Sequence, residues 1–377
     1  MRCPTSGVHP LAGLRPPSPA SGRGECKCRS RNSLSLARIL RNLRVSPAFA
    51  LRPVQHKPDR RFHSQESRLD ILVQQLINGL ILGSIYALIA LGYTMVYGIL
   101  GLINFAHGEI VMIGAMITIT CLNLLLGQGL DLPGLVLVGL SLLMAIPACA
   151  ALGFTIERVA YRPLRNAPRL APLITAIGVS IVLQNLAMMI WGRQYVAFPA
   201  ILPGEPHKFL GASITSLQIL IVVLAAAIMG GLMLLVNRTK LGRAMRATAQ
   251  SPQVASLMGV NVNHVISMTF ILGSCLGSVA GVMVSANYGQ AHAYMGFLLG
   301  LKAFSAAVLG GIGNLGGAVI GGLLLGVIES LGAGYIGDLT GGYLGSQYQD
   351  VFAFMVLILV LVFRPSGLMG ERVSERP

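Results

Sequence analysis

The sequence predicts an all-α, polytopic integral membrane protein with about eight transmembrane helices. The chain has 377 residues, of which 54% are hydrophobic and only 11% charged, and its mean hydropathy is +0.71. A soluble domain carries roughly 25% charged residues, so a soluble enzyme, a free DNA-binding protein and a disulfide-stapled secreted domain are excluded. Several uncharged runs each exceed the roughly 20 residues that a helix needs to cross a bilayer. These runs are 71–108, 110–130, 132–156, 170–192, 209–237, 247–301 and 303–328.

The uncharged runs define the predicted helices in chain order. We expect helices at about 72–98, 104–127, 134–155, 170–192, 216–236 and 264–286. The glycine-rich stretch 296–331 is long enough for two short segments, which either cross the membrane or re-enter it, and a last helix is expected near 345–363.

The positive charge is concentrated in the first residues of the chain. The net charge is +15, yet residues 1–68 hold 14 of the 28 Lys and Arg side chains and carry a net +11. We therefore divide the chain into a basic, disordered extension at 1–68, a transmembrane domain at 69–370 and a cytoplasmic tail at 371–377. The remainder of the chain has a net charge of only +4, so no nucleic-acid partner is predicted.

Arginine-rich connections predict the orientation. The segments 157–169 and 237–247 and the C-terminal end are basic, which places them in the cytoplasm by the positive-inside rule, and loop 193–215 then falls outside. Because 237–247 and the C-terminal end are both predicted to be cytoplasmic, the chain between them must cross the membrane an even number of times. The stretch 296–331 must therefore cross twice or re-enter. Three runs upstream of 157 place Asp70 outside. The basic extension conflicts with this unless 72–110 contains an extra re-entry or the extension is not native, and the sequence leaves both possibilities open.

Ionisable residues inside the apolar runs are candidates for a transport pathway or gate, because their burial in a membrane is costly. They are His107, Glu109, Lys302 and Glu329, and we add Asn104 immediately upstream. His107 and Glu109 are two residues apart and do not share a helix face. The alternative is that these residues lie at helix ends near the headgroups or, for Lys302, extend toward the interface.

Glycine spacing predicts close helix packing in the last third of the chain. Three pairs each form a small-xxx-small face, namely Gly313 with Gly317, Gly317 with Gly321, and Gly322 with Gly326. No Ser/His/Asp arrangement, HExxH motif or Cys/His cluster occurs, so no catalytic residue and no metal ligand is predicted. The dipeptide Gly-Lys is absent, which excludes a Walker A loop.

Several stretches resemble LivH-type permeases of branched-chain amino acid ABC transporters. The resemblance covers roughly 72–370. The stretches are NGLILGSIYAL at 78–88, LINFAHGE at 102–109, IERVAYRPLR at 156–165, LGRAMRA at 241–247, GLKAF at 300–304 and RPSGL at 364–368.

The resemblance implies a multi-pass subunit of the bacterial inner membrane that forms the pathway for leucine, isoleucine and valine. Its implied partners are a second homologous permease, two cytoplasmic ATPases, an extracytoplasmic substrate-binding protein and the bilayer. It implies no enzymatic activity and no cofactor on this chain, with ATP bound by the ATPases. The family's EAA-x-x-x-G coupling motif aligns with 253–259, which marks Gln253, Ala255 and Gly259 as the ATPase-coupling segment. Only Ala255 and Gly259 match the motif, and on one short helix they would share a face.

Other function classes remain as alternatives. A related permease would carry urea, amides or other amino acids. An ion-coupled secondary transporter would use a convergent set of buried acids, for which Glu109 and Glu329 are the available residues. A membrane enzyme would need a nucleophile or metal constellation, which the sequence does not show.

Overall fold

The computed structural model describes residues 66–370, apart from 130–131, 166, 169, 203, 210, 342 and 344–347. Almost all of the basic extension at 1–68 and all of the tail at 371–377 therefore lie outside the described residues, as does Arg169 of the basic segment 157–169.

The described part of the chain contains eleven α-helices. They are α1 Glu66–Leu100, α2 His107–Gly127, α3 Gly134–Ile156, α4 Leu170–Trp191, α5 Ser216–Arg238, α6 Lys240–Gln250, α7 Pro252–Leu257, α8 Val262–Tyr288, α9 Met295–Gly310, α10 Leu315–Leu339 and α11 Gln349–Phe363. Seven helices are long and apolar enough to cross a membrane, and α9 and α11 are shorter apolar helices. The predicted polytopic all-α architecture is confirmed.

Four short strands decorate this bundle. β1 Val196–Ala197 pairs antiparallel with β4 Gln290–Ala291, which ties the connection after α4 to the connection after α8. β2 Pro206–Phe209 and β3 Ala212–Thr215 form a hairpin whose tight turn places Gly211 at a φ of +83°. Both pairs lie within segments predicted as loops, because pairs this short carry little periodicity.

The glycine-rich stretch forms two helices, as predicted, although the second is not short. α9 has 16 residues and α10 has 25. The break between them requires glycine, because Gly311 and Gly313 have φ values of +107° and +96°, which side chains with a Cβ rarely adopt.

The two inner basic segments are helical rather than irregular. Residues 157–161 continue α3 as a π-helix, followed by one 3-10 turn at 162–164. The second segment contains α6, which begins where the Thr239 hydroxyl accepts a hydrogen bond from the Gly242 N–H (3.1 Å). Buried Gly242, Met245 and Thr248 lie three apart, which gives α6 one packed face.

The basic segments meet at one end of the bundle, here called the basic end. Arg246 of α6, Asn314 of the α9–α10 turn and Ser366 near the C-terminus line one cleft there. α1 begins at the opposite end, where the Gln74 amide bonds Ser213 of β3 (3.1 Å). Because α1 is one continuous helix of 35 residues, an extra re-entry within it is excluded, and Asp70 lies at the same end as the β2–β3 hairpin.

Glycines bring α1 and α10 into direct backbone contact. A Cβ on Gly79 would come within 2.6 Å of the Val327 Cα, and one on Gly83 within 2.8 Å of the Leu323 Cα. From the other side, a Cβ on Gly322 or Gly326 would meet the α1 backbone. The face formed by Gly322 and Gly326 is therefore a close-packing face.

Gly317 and Gly321 pack on α9 rather than on α1. A Cβ on Gly321 would collide with the Ala306 carbonyl oxygen and come within 2.6 Å of the Gly310 amide nitrogen. A Cβ on Gly317 would lie 2.5 Å from the Gly310 carbonyl oxygen. The predicted glycine pairs therefore do not serve one partner helix, because Gly321 and its neighbour Gly322 project toward different sides of α10.

The predicted face formed by Gly313 and Gly317 is wrong. Gly313 lies in the turn before α10 and has a positive φ, so it does not continue the helix that carries Gly317. A Cβ on Gly313 would meet nothing within 4 Å. Gly313 therefore allows the turn to form and does not contribute to helix packing.

Candidate gating and coupling sites

Asn104 organises the entry into α2. Its side-chain oxygen accepts hydrogen bonds from the Ala106 N–H (3.1 Å) and from the Tyr161 hydroxyl (3.0 Å) of the π-helix. Asn104 is itself buried. This predicted site residue therefore connects the start of α2 with the end of α3.

His107 is enclosed by protein rather than placed at the headgroups. Its ring meets the Tyr93 ring edge-on, with centroids 4.8 Å apart, and it packs against Gly92, where a Cβ would collide with the imidazole. The ring donates a hydrogen bond to the Ile89 carbonyl. Among the described residues, its Nε2 atom has no partner.

Glu109 points away from His107, as their spacing predicted. The Ser180 hydroxyl of α4 donates to Glu109 Oε1 (3.0 Å). The other oxygen, Oε2, is buried without a partner in the described part of the chain. It lies against the first turn of α9, since a Cβ on Gly296 would come within 2.6 Å of it. The positive end of the α9 dipole favours a carboxylate there.

Lys302 lies at the centre of an ionic cluster in which Lys302 and Glu329 are buried and Asp350 is partly exposed. Its ammonium is 2.7 Å from Glu329 Oε1 and 2.7 Å from Asp350 Oδ1, and the Tyr86 hydroxyl donates to the same Glu329 oxygen (3.2 Å). The alternative in which Lys302 extends toward the interface is therefore wrong. The cluster joins α1, α9, α10 and α11. Sequence reasoning missed Asp350, which begins the last helix.

The predicted coupling segment forms α7 and the turn that follows it. Ala255 is buried, whereas Gly259 lies beyond the helix with a φ of +83°. The predicted shared face of Ala255 and Gly259 is therefore wrong. Three apolar side chains are exposed here, namely Val254, Leu257 and Met258 by 57%, 85% and 80%, beside exposed Gln253 and Ser256. Neighbouring exposed apolar side chains of this kind are unusual in a short segment that is capped by polar side chains and lies outside the long apolar helices.

A second buried ion pair lies at the basic end and was not predicted. Glu157 is fully buried and pairs with Arg165, and the Ser267 hydroxyl donates to Glu157 Oε2 (2.7 Å). Partial burial lowers the pKa of Arg165, and the Glu157 carboxylate opposes that effect. The signal available in the sequence was an acid placed between an apolar run and an arginine-rich segment.

Clefts lined by both polar and apolar side chains open at the two ends of the bundle, and α1, α5 and α10 line both of them. The cleft away from the basic end has a volume of about 400 Å³. Its polar lining includes Gln75, Asn78, Gln218, Asn287, Ser330 and Gln349. The cleft at the basic end has a volume of about 960 Å³ and includes Tyr97, Asn237, Arg246, Asn314 and Ser366. Among the described residues, no group of three or more His, Cys, Asp or Glu side chains could hold a metal ion.

Apolar helices that enclose paired buried charges, with clefts at both ends, are consistent with a membrane permease. Residues 75–361 match the family described as the permease component of a branched-chain amino acid transport system. The chain belongs to this family. It is therefore a multi-pass plasma-membrane subunit of a transporter rather than an enzyme, and it works with ATPases and other subunits.

Relatives from bacteria and archaea match most of the chain. It is 49% identical over 308 residues to the high-affinity branched-chain amino acid transport system permease protein BraD of Pseudomonas aeruginosa, covering 81% of this chain and 97% of that protein. It is 45% identical to LivH of Escherichia coli K12 with the same coverage. A probable LivH of Methanocaldococcus jannaschii is 30% identical, covering 80% of this chain and 94% of the relative.

Proposed function

We propose that this chain forms the translocation pathway for leucine, isoleucine and valine in an ATP-driven importer. The similarity to BraD and LivH along nearly their whole length carries this proposal. The finer composition we propose is a second homologous permease, two cytoplasmic ATPases and an extracytoplasmic substrate-binding protein. The bilayer faces the apolar outer surfaces of α3, α4 and α5, and no cofactor binds this chain.

Uptake by the reconstituted complex tests the proposal directly. We expect leucine to enter liposomes that contain the permease pair and ATPases only when binding protein and ATP are supplied. Uptake driven by an ion gradient without ATP would instead support a secondary transporter. ATP-driven uptake of urea or an amide, with leucine excluded, would assign the chain to a related substrate.

The buried polar residues fit a gate better than a solute-binding surface. His107, Glu109 and Lys302 contact neighbouring helices, and Asn104 contacts the π-helix. We propose that they hold the helices in alternative packings, while the solute meets the polar linings of the two clefts. Weak contacts between the solute and these linings are sufficient where a separate binding protein selects the substrate.

The segment 253–259, with Gln253, Ala255 and Gly259, is proposed to dock on an ATPase. Its support is geometric. α7 begins with the Ser251 hydroxyl accepting from the Val254 N–H (3.3 Å), and the Val260 N–H bonds the Ala255 carbonyl (3.0 Å). This small folded unit presents Val254, Leu257 and Met258 outward, as an anchor for a hydrophobic groove.

Met258→Glu should separate the permease from its ATPases while leaving membrane insertion intact. An anchor in a desolvated pocket is worth about 2 kcal/mol, so we expect ATPase co-purification and leucine uptake each to fall about tenfold or more. Met369→Glu, at the same end of the bundle and half-exposed, is the matched control and should retain both. Wild-type co-purification of Met258→Glu would contradict the docking role. Gly259→Glu is less informative, because its positive φ adds strain.

A further inference from the structure

The buried Glu157 carboxylate joins three parts of the chain at the basic end. It begins the π-helix that follows α3, a form found frequently at functional sites. One oxygen pairs with Arg165 and the other accepts from Ser267 of α8. Since Glu157 is fully buried, both oxygens depend on protein partners, and breaking such a pair is costly.

Arg165 extends this contact to the first turn of α8. Its guanidinium also donates to the side-chain oxygen of Asn263. Glu157, Arg165, Asn263 and Ser267 therefore form one unit, here called the Glu157 clamp. The planar fork of an arginine suits two simultaneous acceptors and fixes their relative orientation.

α8 follows the exposed docking face after only a short, capped turn. Four residues separate Met258 from Asn263, and the Asn261 side chain accepts from the His264 N–H (3.1 Å). The exposed face of α7 and the start of α8 are therefore joined by a short segment of chain. The π-helix also contacts the entry into α2, because the Tyr161 hydroxyl donates to the Asn104 side chain (3.0 Å). Asn104 lies just before His107 and Glu109 in the chain.

We propose that the Glu157 clamp makes the ends of α3 and α8 move as one unit when the ATPases displace α7, so that the clamp couples ATP hydrolysis to opening of the gate. Glu157, Arg165 and Asn263 are then positioning residues that act through the helices and do not touch the solute. The inference rests on the proposed docking role of α7. Neither the helix packing nor the family match assigns such a coupling function to these residues.

Glu157→Gln and Asn263→Ala test the clamp by weakening different contacts. Glu157→Gln keeps the shape and the hydrogen bond from Ser267 but removes the charge facing Arg165. Asn263→Ala removes an exposed side chain that accepts a hydrogen bond from Arg165. For each variant in the reconstituted complex, we expect ATP hydrolysis stimulated by loaded binding protein to persist, while leucine transported per ATP falls at least about fivefold, the lower range of allosteric coupling.

The matched control is Arg158→Gln, which removes an exposed charge from the same π-helix outside the clamp, where the Arg158 guanidinium lies 5.9 Å from the centroid of the Phe154 ring. It should keep the wild-type ratio of transport to ATP hydrolysis. If the clamp only stabilised the fold, its variants would lower uptake and ATP hydrolysis together, in proportion to the amount of assembled complex. That outcome would overturn the proposal, as would wild-type ratios of transport to ATP hydrolysis in both clamp variants. Failure of the proposed function is distinct, because it would appear as absent ATP-driven leucine uptake in the unmodified complex.

Discussion

Gly326→Leu should prevent the stable assembly of this permease in the membrane. The Gly326 Cα faces the backbone of Gly79 and Gly83, so a side chain there meets main-chain atoms that cannot rotate away. Overpacking commonly costs about 1–3 kcal/mol and sometimes more, and a whole leucine side chain against backbone belongs at the upper end. We expect severalfold less folded protein in membranes, measured by size-exclusion chromatography in detergent.

Gly178→Leu provides the matched control for this substitution. Gly178 lies in the middle of α4, and a Cβ on it would meet nothing within 4 Å. It should accumulate at the wild-type level, because an added apolar side chain on this open face is compatible with lipid. Equal yields of folded Gly326→Leu and Gly178→Leu would contradict close packing between α1 and α10.

Lys302→Met should produce the second large loss of stability. Methionine fills a similar volume but leaves Glu329 and Asp350 without the ammonium that they share. Removing one partner of a buried ion pair typically costs about 3–5 kcal/mol. We expect a clearly lower thermal unfolding temperature in detergent, with the loosening greatest in α11, whose start is tied to the bundle through Asp350.

Neutralising the acids should restore stability if charge is the cause. The triple variant Lys302→Met, Glu329→Gln, Asp350→Asn removes both uncompensated carboxylates and should recover most of the lost unfolding temperature. Lys208→Met, in the exposed β2–β3 hairpin, should be neutral. An unchanged unfolding temperature for Lys302→Met would show that the cluster does not stabilise the bundle.

The membrane architecture was predictable because a bilayer imposes length and polarity on each helix separately. A run of apolar residues identifies a helix without reference to its neighbours, and the positive-inside rule groups the basic segments. The glycine density of 296–331 likewise indicated two segments, since Gly311 and Gly313 provide the positive φ values of the break.

The spacing of glycines predicted close packing but not its partners. Gly321 lies against α9, whereas Gly322 lies against α1. Adjacent residues on a helix point about 100° apart, because each turn holds 3.6 residues, so neighbouring glycines can serve two different helices. Which helix each one meets depends on how the bundle assembles, and a spacing rule within one segment does not contain that information.

The partners of the buried charges were not predictable, because pairing depends on how helices pack. Lys302 and Glu329 are 27 residues apart, and Tyr86 and Glu329 are 243 apart. No spacing rule connects such residues. The coupling segment failed in detail for a related reason, since four-residue spacing implies a shared face only if the helix continues, and α7 ends at Leu257.

The contact between α1 and α10 also bears on the order in which the protein is made. The first long helix finds its main partner only after about 240 further residues have been synthesised, as the separation of Tyr86 and Glu329 illustrates. Because domains form as the chain emerges from the ribosome, α1 must wait in lipid with Gly79 and Gly83 unmatched. The Tyr86 hydroxyl finds its Glu329 acceptor only when α10 arrives. We therefore expect biosynthesis to include a late step in which α10 packs onto α1.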